Sequence, residues 1–311
     1  MVIKIKNKKG FFFTVIIIIV LSMLLLSSFF YIQVNQRQST QKRVSTMNSF
    51  LDSAEKDLER QIYVSGYRIV LIFEKRVLDS NTYIPESDFN NLFSEAFFNG
   101  TIDHQNQDIM NGATYSALLS SIVNNAKKIN INFNLTNPSI NITQEDPWRV
   151  AIVLTANLTM SDDSNLASWN KPITIKSYIS IENFEDPVYL INTGKGIHNQ
   201  FIKTPYIFSS TNSENLSIHV QSSYYIASTD APSFIDRLKG KLTSNQYGIE
   251  SMVNLQKLSQ QGITIVDDKS IIDHIYFSAS SPSLCSPVPA GLPNWFKIDA
   301  GHKTAYNITT C

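Results

Sequence analysis

The two cysteines are the residues of this chain most able to form a covalent cross-link. Cys285 lies in a proline-rich loop, and Cys311 is the last residue of the sequence. In a compartment outside the cytoplasm they can pair, and the bridge would pin the C-terminal tail with about 3–4 kcal/mol of stabilisation. We predict this bridge, with two free buried thiols as the alternative. A zinc site of Cys285, His302 and Cys311 is disfavoured, because three ligands do not close a structural site.

The histidines show no spacing typical of a hydrolytic or metal-binding motif. They are His104, His198, His219, His274 and His302. No two of them lie four residues apart, and the chain has no Gly-x-Ser-x-Gly nucleophile elbow. A catalytic cleft would have to join residues such as Asp268, Asp273 and His274. We therefore predict no catalytic residue, no metal site and no cofactor, and we do not expect an enzyme.

Asparagine supplies a third kind of chemistry, because Asn-x-Ser/Thr sequences accept N-linked glycans where the side chain faces solvent. The six candidates are Asn99, Asn134, Asn141, Asn157, Asn215 and Asn307. Three of them, Asn134, Asn141 and Asn157, fall on the polar phase of predicted strands. This placement permits glycosylation without requiring it, since polar residues occupy that phase in any case.

A charge-free apolar run dominates the N-terminal part of the chain. Residues 11–32 read FFFTVIIIIVLSMLLLSSFFYI, and four lysines precede them. At about 1.5 Å of helix per residue, the run spans the ~30 Å hydrocarbon core of a bilayer. Because positive charge is densest before the run, we predict a single-pass membrane protein with residues 1–10 in the cytoplasm and residues 33–311 outside. The 26 basic and 26 acidic residues balance, which disfavours nucleic acid as a partner.

A second helical pattern continues the apolar run. Between residues 33 and 79 apolar residues recur at gaps of three, four and seven, as one helical face requires. This face comprises Val44, Met47, Leu51, Ala54, Leu58, Ile62, Ile69 and Ile72. We predict one helix from the membrane to about Asp79, with a bend at Gly66 as an option. Its apolar face would pack either on the chain's own head or on copies of itself.

The remaining residues, 80–311, predict a globular α+β head. Helices are expected from Ser87, as N-cap, to Asn99 and over residues 113–129, followed by alternating apolar and polar residues from 131 to 181. Alternation with period two is typical of an antiparallel sheet with one buried face, and the turns are expected at Asn137-Pro138, Asp146-Pro147 and residues 161–165. The predicted fold is therefore a long N-terminal helix with an antiparallel, β-rich head.

The last third of the sequence gives a weaker pattern. Strands are predicted at Pro187–Ile191, Leu216–Ile226, Ile263–Val266 and Ile271–Phe277. A short helix is predicted over Pro232–Lys239, with Pro232 in its first turn. One domain or two subdomains, divided near residues 185–230, both remain open.

Lys8-Lys9-Gly10-Phe11-Phe12-Phe13-Thr14 before an apolar helix resembles the class III leader of type IV pilins, pseudopilins and related archaeal surface proteins. The resemblance covers residues 4–79 by motif and the head by architecture only. It implies that a prepilin-type peptidase cuts between Gly10 and Phe11, and that the freed helix packs with itself or other pilin-like subunits. It also implies a head sheet lying on the helix and a C-terminal disulfide loop.

One residue departs from the family pattern. Type IV pilins usually carry Glu at the fifth position after the cut, where this chain has Val15. The departure favours a minor or tip subunit of a surface filament. The alternative is an uncleaved single-pass anchor that carries an extracytoplasmic binding domain.

Overall fold

The computed structural model describes residues 8–164, 166–209, 213–285 and 291–308, without the side chains of residues 8–10. Its largest element is one helix, α1 (Lys8–Ser80), which joins the apolar run to the head without a break. The predicted helix and its end near Asp79 are confirmed. The predicted apolar face packs on the chain's own head, because its residues from Met47 to Ile72 are buried in the larger hydrophobic cluster.

The head is built on a three-stranded antiparallel meander. Strands β3 (Ile131–Asp146), β4 (Arg149–Asp162) and β5 (Ser168–Ser180) pair in that order, and one face of the sheet packs on α1. The predicted turn at Asn137-Pro138 is wrong: the register shifts between Thr136 and Ser139, so that this dipeptide forms an irregularity within β3. Asn137 adopts φ +50°, a conformation that Asn tolerates better than most residues.

Two further helices pack beside the sheet. Helices α2 (Glu86–Asn99) and α3 (Tyr115–Lys127) follow the predicted spans closely, and they flank a small hairpin of β1 (Thr101–Ile102) and β2 (Gln105–Asn106). Ser87 is not the N-cap of α2, because the helix begins at Glu86 and the Ser87 hydroxyl donates to Asp88 instead. Gly100 ends the helix at φ +73°, which glycine adopts without a steric penalty.

Short elements form the rest of the head. They are α4 (Pro187–Asn192), α5 (Glu214–Ser222), β6 (Tyr225–Ala227), α6 (Phe234–Leu238), β7 (Ile249–Ser251), α7 (Leu255–Gln260) and α8 (Asp273–Tyr276). Strands β6 and β7 pair antiparallel. A second hydrophobic cluster forms around α5, α7, α8 and the C-terminal segment, centred on Leu216, Leu258, Ile275 and Phe296.

All four strands predicted in this region need correction. Pro187–Ile191 is helical because the Asp186 side chain accepts the Val188 N–H, and because Pro187 sets the backbone of the first turn. Leu216–Ile226 is divided at Ser223, which ends α5 in the left-handed region (φ +50°) and allows β6 to start at Tyr225.

The other two predicted strands lie near the C-terminal segment. Ile263–Val266 has no regular structure, and Ile271–Phe277 forms one bridge at Ile272 before turning into α8. The helix predicted at Pro232–Lys239 exists as α6, but its cap is Ser233 and Pro232 stands outside it. The side-chain caps of Asp186 and Ser233 set the starts of α4 and α6, which apolar periodicity does not reveal.

Candidate functional site

The N-terminal part of α1 presents an apolar surface. Every residue from Phe11 to Val34 is exposed, and the helix is long and apolar enough to cross a membrane. The predicted processing site lies at its start: Gly10 belongs to α1, and Phe11 is 62% exposed. Val15, at the position of the family's Glu, is also exposed. Residues 1–7 of the predicted leader lie outside the described residues.

Five of the six candidate glycosylation residues are exposed. They are Asn99, Asn134, Asn141, Asn157 and Asn307. Asn134 pairs with Thr159 and Asn157 pairs with Thr136, so these two sequons lie side by side on the open face of the sheet. Asn215 is half-buried, and its amide donates to the Ile207 carbonyl at 3.0 Å. The geometry therefore allows glycans at the sheet more readily than at Asn215.

Of the two cysteines in the predicted disulfide, only Cys285 belongs to the described residues. Cys285 is buried in the second hydrophobic cluster, and its amide donates to the Ile298 carbonyl at 2.8 Å. Cys311 is outside the described residues, so the bridge stays a prediction. Cys285 contributes no ligand to the cluster that contains His302, described below.

A fully buried arginine organises the centre of the head. The guanidinium of Arg237 contacts Asp186 at 2.7 Å and Asp273 at 3.0 Å, and it also donates to the Ile249 carbonyl. Both carboxylates are fully buried. Since Asp186 caps α4, Arg237 belongs to α6 and Asp273 begins α8, this network ties three short helices together.

Neutral donors complete the network. Tyr225 donates to Asp186 at 2.7 Å, and Ser251 donates to Asp273 at 2.8 Å. The Tyr189 hydroxyl lies 2.9 Å from the Ser251 hydroxyl. Burial opposes the charge of Asp273, but Arg237 and His274 outweigh it and hold the pKa of Asp273 below its usual range.

A second buried polar cluster lies on the other side of β7. Glu250, His274 and His302 each offer a ligand atom, and these atoms lie within 4.8 Å of one another. Alternation along β7 directs Ser251 towards the arginine network and Glu250 away from it. His274 comes from α8, and His302 from the C-terminal turns at residues 301–307. The cluster therefore joins three segments that are distant in sequence.

The two histidine rings and the glutamate are held by their neighbours. Nδ1 of His302 lies 2.8 Å from Oδ1 of Asp299, and Asp299 accepts in turn from Ser270 at 2.7 Å. Nε2 of His302 lies 3.4 Å from Oε2 of Glu250. Burial raises the pKa of Glu250, against the charge of His302 and the nearby Ser228 hydroxyl. For His302, the Asp299 and Glu250 carboxylates outweigh burial and raise the pKa.

Sequence reasoning identified only part of these two clusters. Asp273 and His274 are buried side by side, whereas Asp268 is exposed. Glu250, Asp186 and Arg237 were not predicted. Their signal was a charge inside a short apolar stretch, as in Gly-Ile-Glu-Ser-Met-Val around Glu250. A charge there has to be buried with a partner, although the sequence does not show which partner.

Comparisons with protein-family models, curated proteins and solved structures give no match to this chain.

Proposed function

We propose that this chain is a pilin-like subunit of a surface filament, of the minor or tip type, which is processed after Gly10 and assembles through the apolar part of α1. Its head stands outside the membrane. Before assembly the partners are the membrane and a prepilin-type peptidase, and afterwards they are copies of the chain or other pilin-like subunits.

The observation that carries the proposal is the continuity of α1. The helix has no Pro and only Gly10 and Gly66 as glycines, and it runs from the exposed apolar part directly into the buried core of the head. The head is therefore fixed in direction relative to the apolar helix. A filament requires such a fixed attachment, because packing of the helices then positions every head, whereas a simple anchor functions equally well with a flexible tether.

Contacts at the place where α1 leaves the head also support a fixed attachment of the head to the apolar helix. Arg43 pairs with the buried carboxylate of Asp162 and donates to the Asn130 carbonyl at 2.5 Å. Met47, one turn further along α1, is fully buried. These contacts hold the helix against the turn between β4 and β5 at the place where it leaves the head.

The exposed apolar part of α1 needs a covering that the head does not provide. Phe11, Phe12, Phe13 and the aliphatic residues that follow are mostly more than half exposed. A surface of this size is typical of a membrane or protein contact. A bilayer covers it before processing, and neighbouring helices cover it in a filament.

The second candidate function is an uncleaved anchor that carries an extracytoplasmic binding domain. Val15 favours it, because a Glu at this position in the family pairs with an N-terminal amine that exists only after cleavage. In this alternative the apolar part of α1 stays in the bilayer throughout.

Blocking the cut separates the two functions. Gly10→Val places a β-branched side chain at the bond to be cut, while Thr14→Val changes the same helix four residues away and serves as the matched control. We expect Gly10→Val to migrate as the longer precursor and to be lost from the filament fraction sheared from cells, with Thr14→Val unaffected. Equal mobility and equal membrane retention of wild type and both variants would support the uncleaved anchor.

A further inference from the structure

The cluster of Glu250, His274 and His302 contains more unpartnered polar atoms than a folded core normally retains. Among the described residues, both carboxylate oxygens of Glu250 and Nε2 of His302 are buried without a partner in hydrogen-bond geometry, as is the Tyr306 hydroxyl, while Nδ1 of His274 has only the Asp273 carboxylate at 3.4 Å. Glu250 is 0% exposed, His274 5% and His302 7%. Burying such groups unpaired is costly, so their convergence on one point indicates a ligand between them.

The charges around Glu250, His274 and His302 also favour a bound cation. Four carboxylates lie buried within the two clusters, on Asp186, Asp273, Glu250 and Asp299, and Arg237 pairs with the first two. Glu250 and Asp299 both face His302, which supplies at most one positive charge. A divalent cation bound between Glu250 and a neutral His302 would offset the charges of Glu250 and Asp299.

We propose that Glu250, His274 and His302 bind a Zn²⁺ ion that fastens the C-terminal segment to β7 and α8. This site is independent of the proposed function. Two imidazoles and a carboxylate suit zinc, whereas Ca²⁺ and Mg²⁺ take oxygen ligands. Tetrahedral zinc with bonds of about 2.1 Å separates its ligands by about 3.4 Å, and Nε2 of His302 lies 3.4 Å from Oε2 of Glu250.

The second layer of contacts fits a metal site. When Nδ1 of His302 donates to Asp299, the neutral ring carries its lone pair on Nε2, which lies 3.4 Å from Oε2 of Glu250 and would be available to a metal. A carboxylate behind a ligating histidine is the usual arrangement at protein zinc sites. The Tyr306 hydroxyl faces Glu250 and offers a further oxygen donor. A structural zinc site needs four ligands, so the Tyr306 hydroxyl would complete the set of three side chains given by Glu250, His274 and His302.

The test uses the full chain in detergent micelles with an affinity tag that contains no histidine. After removal of metals with a chelator and dialysis, the chain is titrated with Zn²⁺ alone. We expect one zinc per chain and a Tm rise of about 5–10 °C at a free zinc concentration 100 times Kd. Ca²⁺ should give no rise. A stripped chain whose Tm does not respond to zinc would overturn the proposal.

Variants assign the ligands. Glu250→Gln should weaken zinc binding at least about tenfold, Asp299→Asn about 10- to 100-fold, and His104→Gln, an exposed histidine, not at all. Equal zinc affinity in wild type and Glu250→Gln would also overturn the site. If Glu250→Gln does not fold, hydrogen exchange of the wild type decides: zinc should protect residues 249–251, 273–276 and 301–307, and protection only elsewhere would contradict the proposal.

Discussion

Arg237 shows how much of this head depends on a single side chain. It is the only group that neutralises both Asp186 and Asp273 within the described residues, and it also donates to the carbonyl of Ile249. A buried ion pair stabilises the folded state little more than apolar residues of similar volume in the same positions would. Removal of one partner, however, leaves buried charge without compensation.

Arg237→Met should therefore lower the free energy of unfolding by about 3–5 kcal/mol. The matched control is Arg149→Met, whose arginine pairs with Asp146 at the surface and should contribute less than about 1 kcal/mol. Chemical denaturation of both variants in detergent measures the difference. An equal, small loss in both would show that the arginine network does not stabilise the head.

Glu74 gives the head a pH-dependent stability. Burial raises its pKa to about 8, and the Glu185 carboxylate adds to the rise while the Glu185 N–H opposes it. Because the folded pKa lies above the unfolded value, the contribution of Glu74 is present below about pH 4.5 and is lost as pH rises through about 8.

We expect the wild type to lose about 2–4 kcal/mol of unfolding free energy between pH 5 and pH 9 through this group. Glu74→Gln should remove that part of the slope, while Glu59→Gln on the exposed face of α1 should leave it in place. Denaturation at several pH values provides the measurement. Identical slopes in wild type and Glu74→Gln would refute the assignment.

At the scale of elements, α1 and the sheet approach closely at Gly66. A Cβ at this position would lie 2.8 Å from Cγ1 of Ile152 and 2.8 Å from Cδ1 of Ile179. The sequence predicted the helix and its buried face because both depend on local periodicity. It also suggested a bend at Gly66. The structure instead packs this glycine against β4 and β5, whose contacting residues lie about 90 to 110 positions further along the chain, and local periodicity does not reveal such contacts.

Gly66→Ala should destabilise the head by about 1–3 kcal/mol, because overpacking outweighs the gain in helix propensity of about 1 kcal/mol. Ser53→Ala, on the exposed face of the same helix, should be neutral or slightly stabilising. Combining Gly66→Ala with Ile179→Val, which removes the clashing Cδ1, should recover part of the loss. Thermal unfolding of the three variants measures these effects, and a stabilised Gly66→Ala would contradict the close approach.

At the scale of the whole molecule, the N-terminal two thirds of the fold could be predicted and the last third could not. The stripe on α1 and the alternation in β4 and β5 are local patterns that long elements repeat many times. The segments after residue 185 are short, and side-chain caps set the start of some of them, as Asp186 does for α4 and Ser233 for α6. Glu250 and His302 meet through tertiary structure alone, so that spacing in the sequence could not bring them together.

The predicted bridge between Cys285 and Cys311 acts on the whole C-terminal region. Reduction should raise the mass of the intact chain by two hydrogen atoms, and it should lower the unfolding free energy by about 3–4 kcal/mol in the chain-entropy model. A double Cys285→Ser and Cys311→Ser variant should lose the response to reductant. Alkylation of two free thiols in the native, unreduced chain would rule out the bridge.

The central claim is that α1 becomes an assembly helix once the chain is cut after Gly10. The intact mass of the chain recovered from its native membranes and surface filaments tests this claim most directly. The proposal predicts a mature chain that begins at Phe11 and lacks residues 1–10. A native chain that still begins at Met1 or Val2 would contradict it.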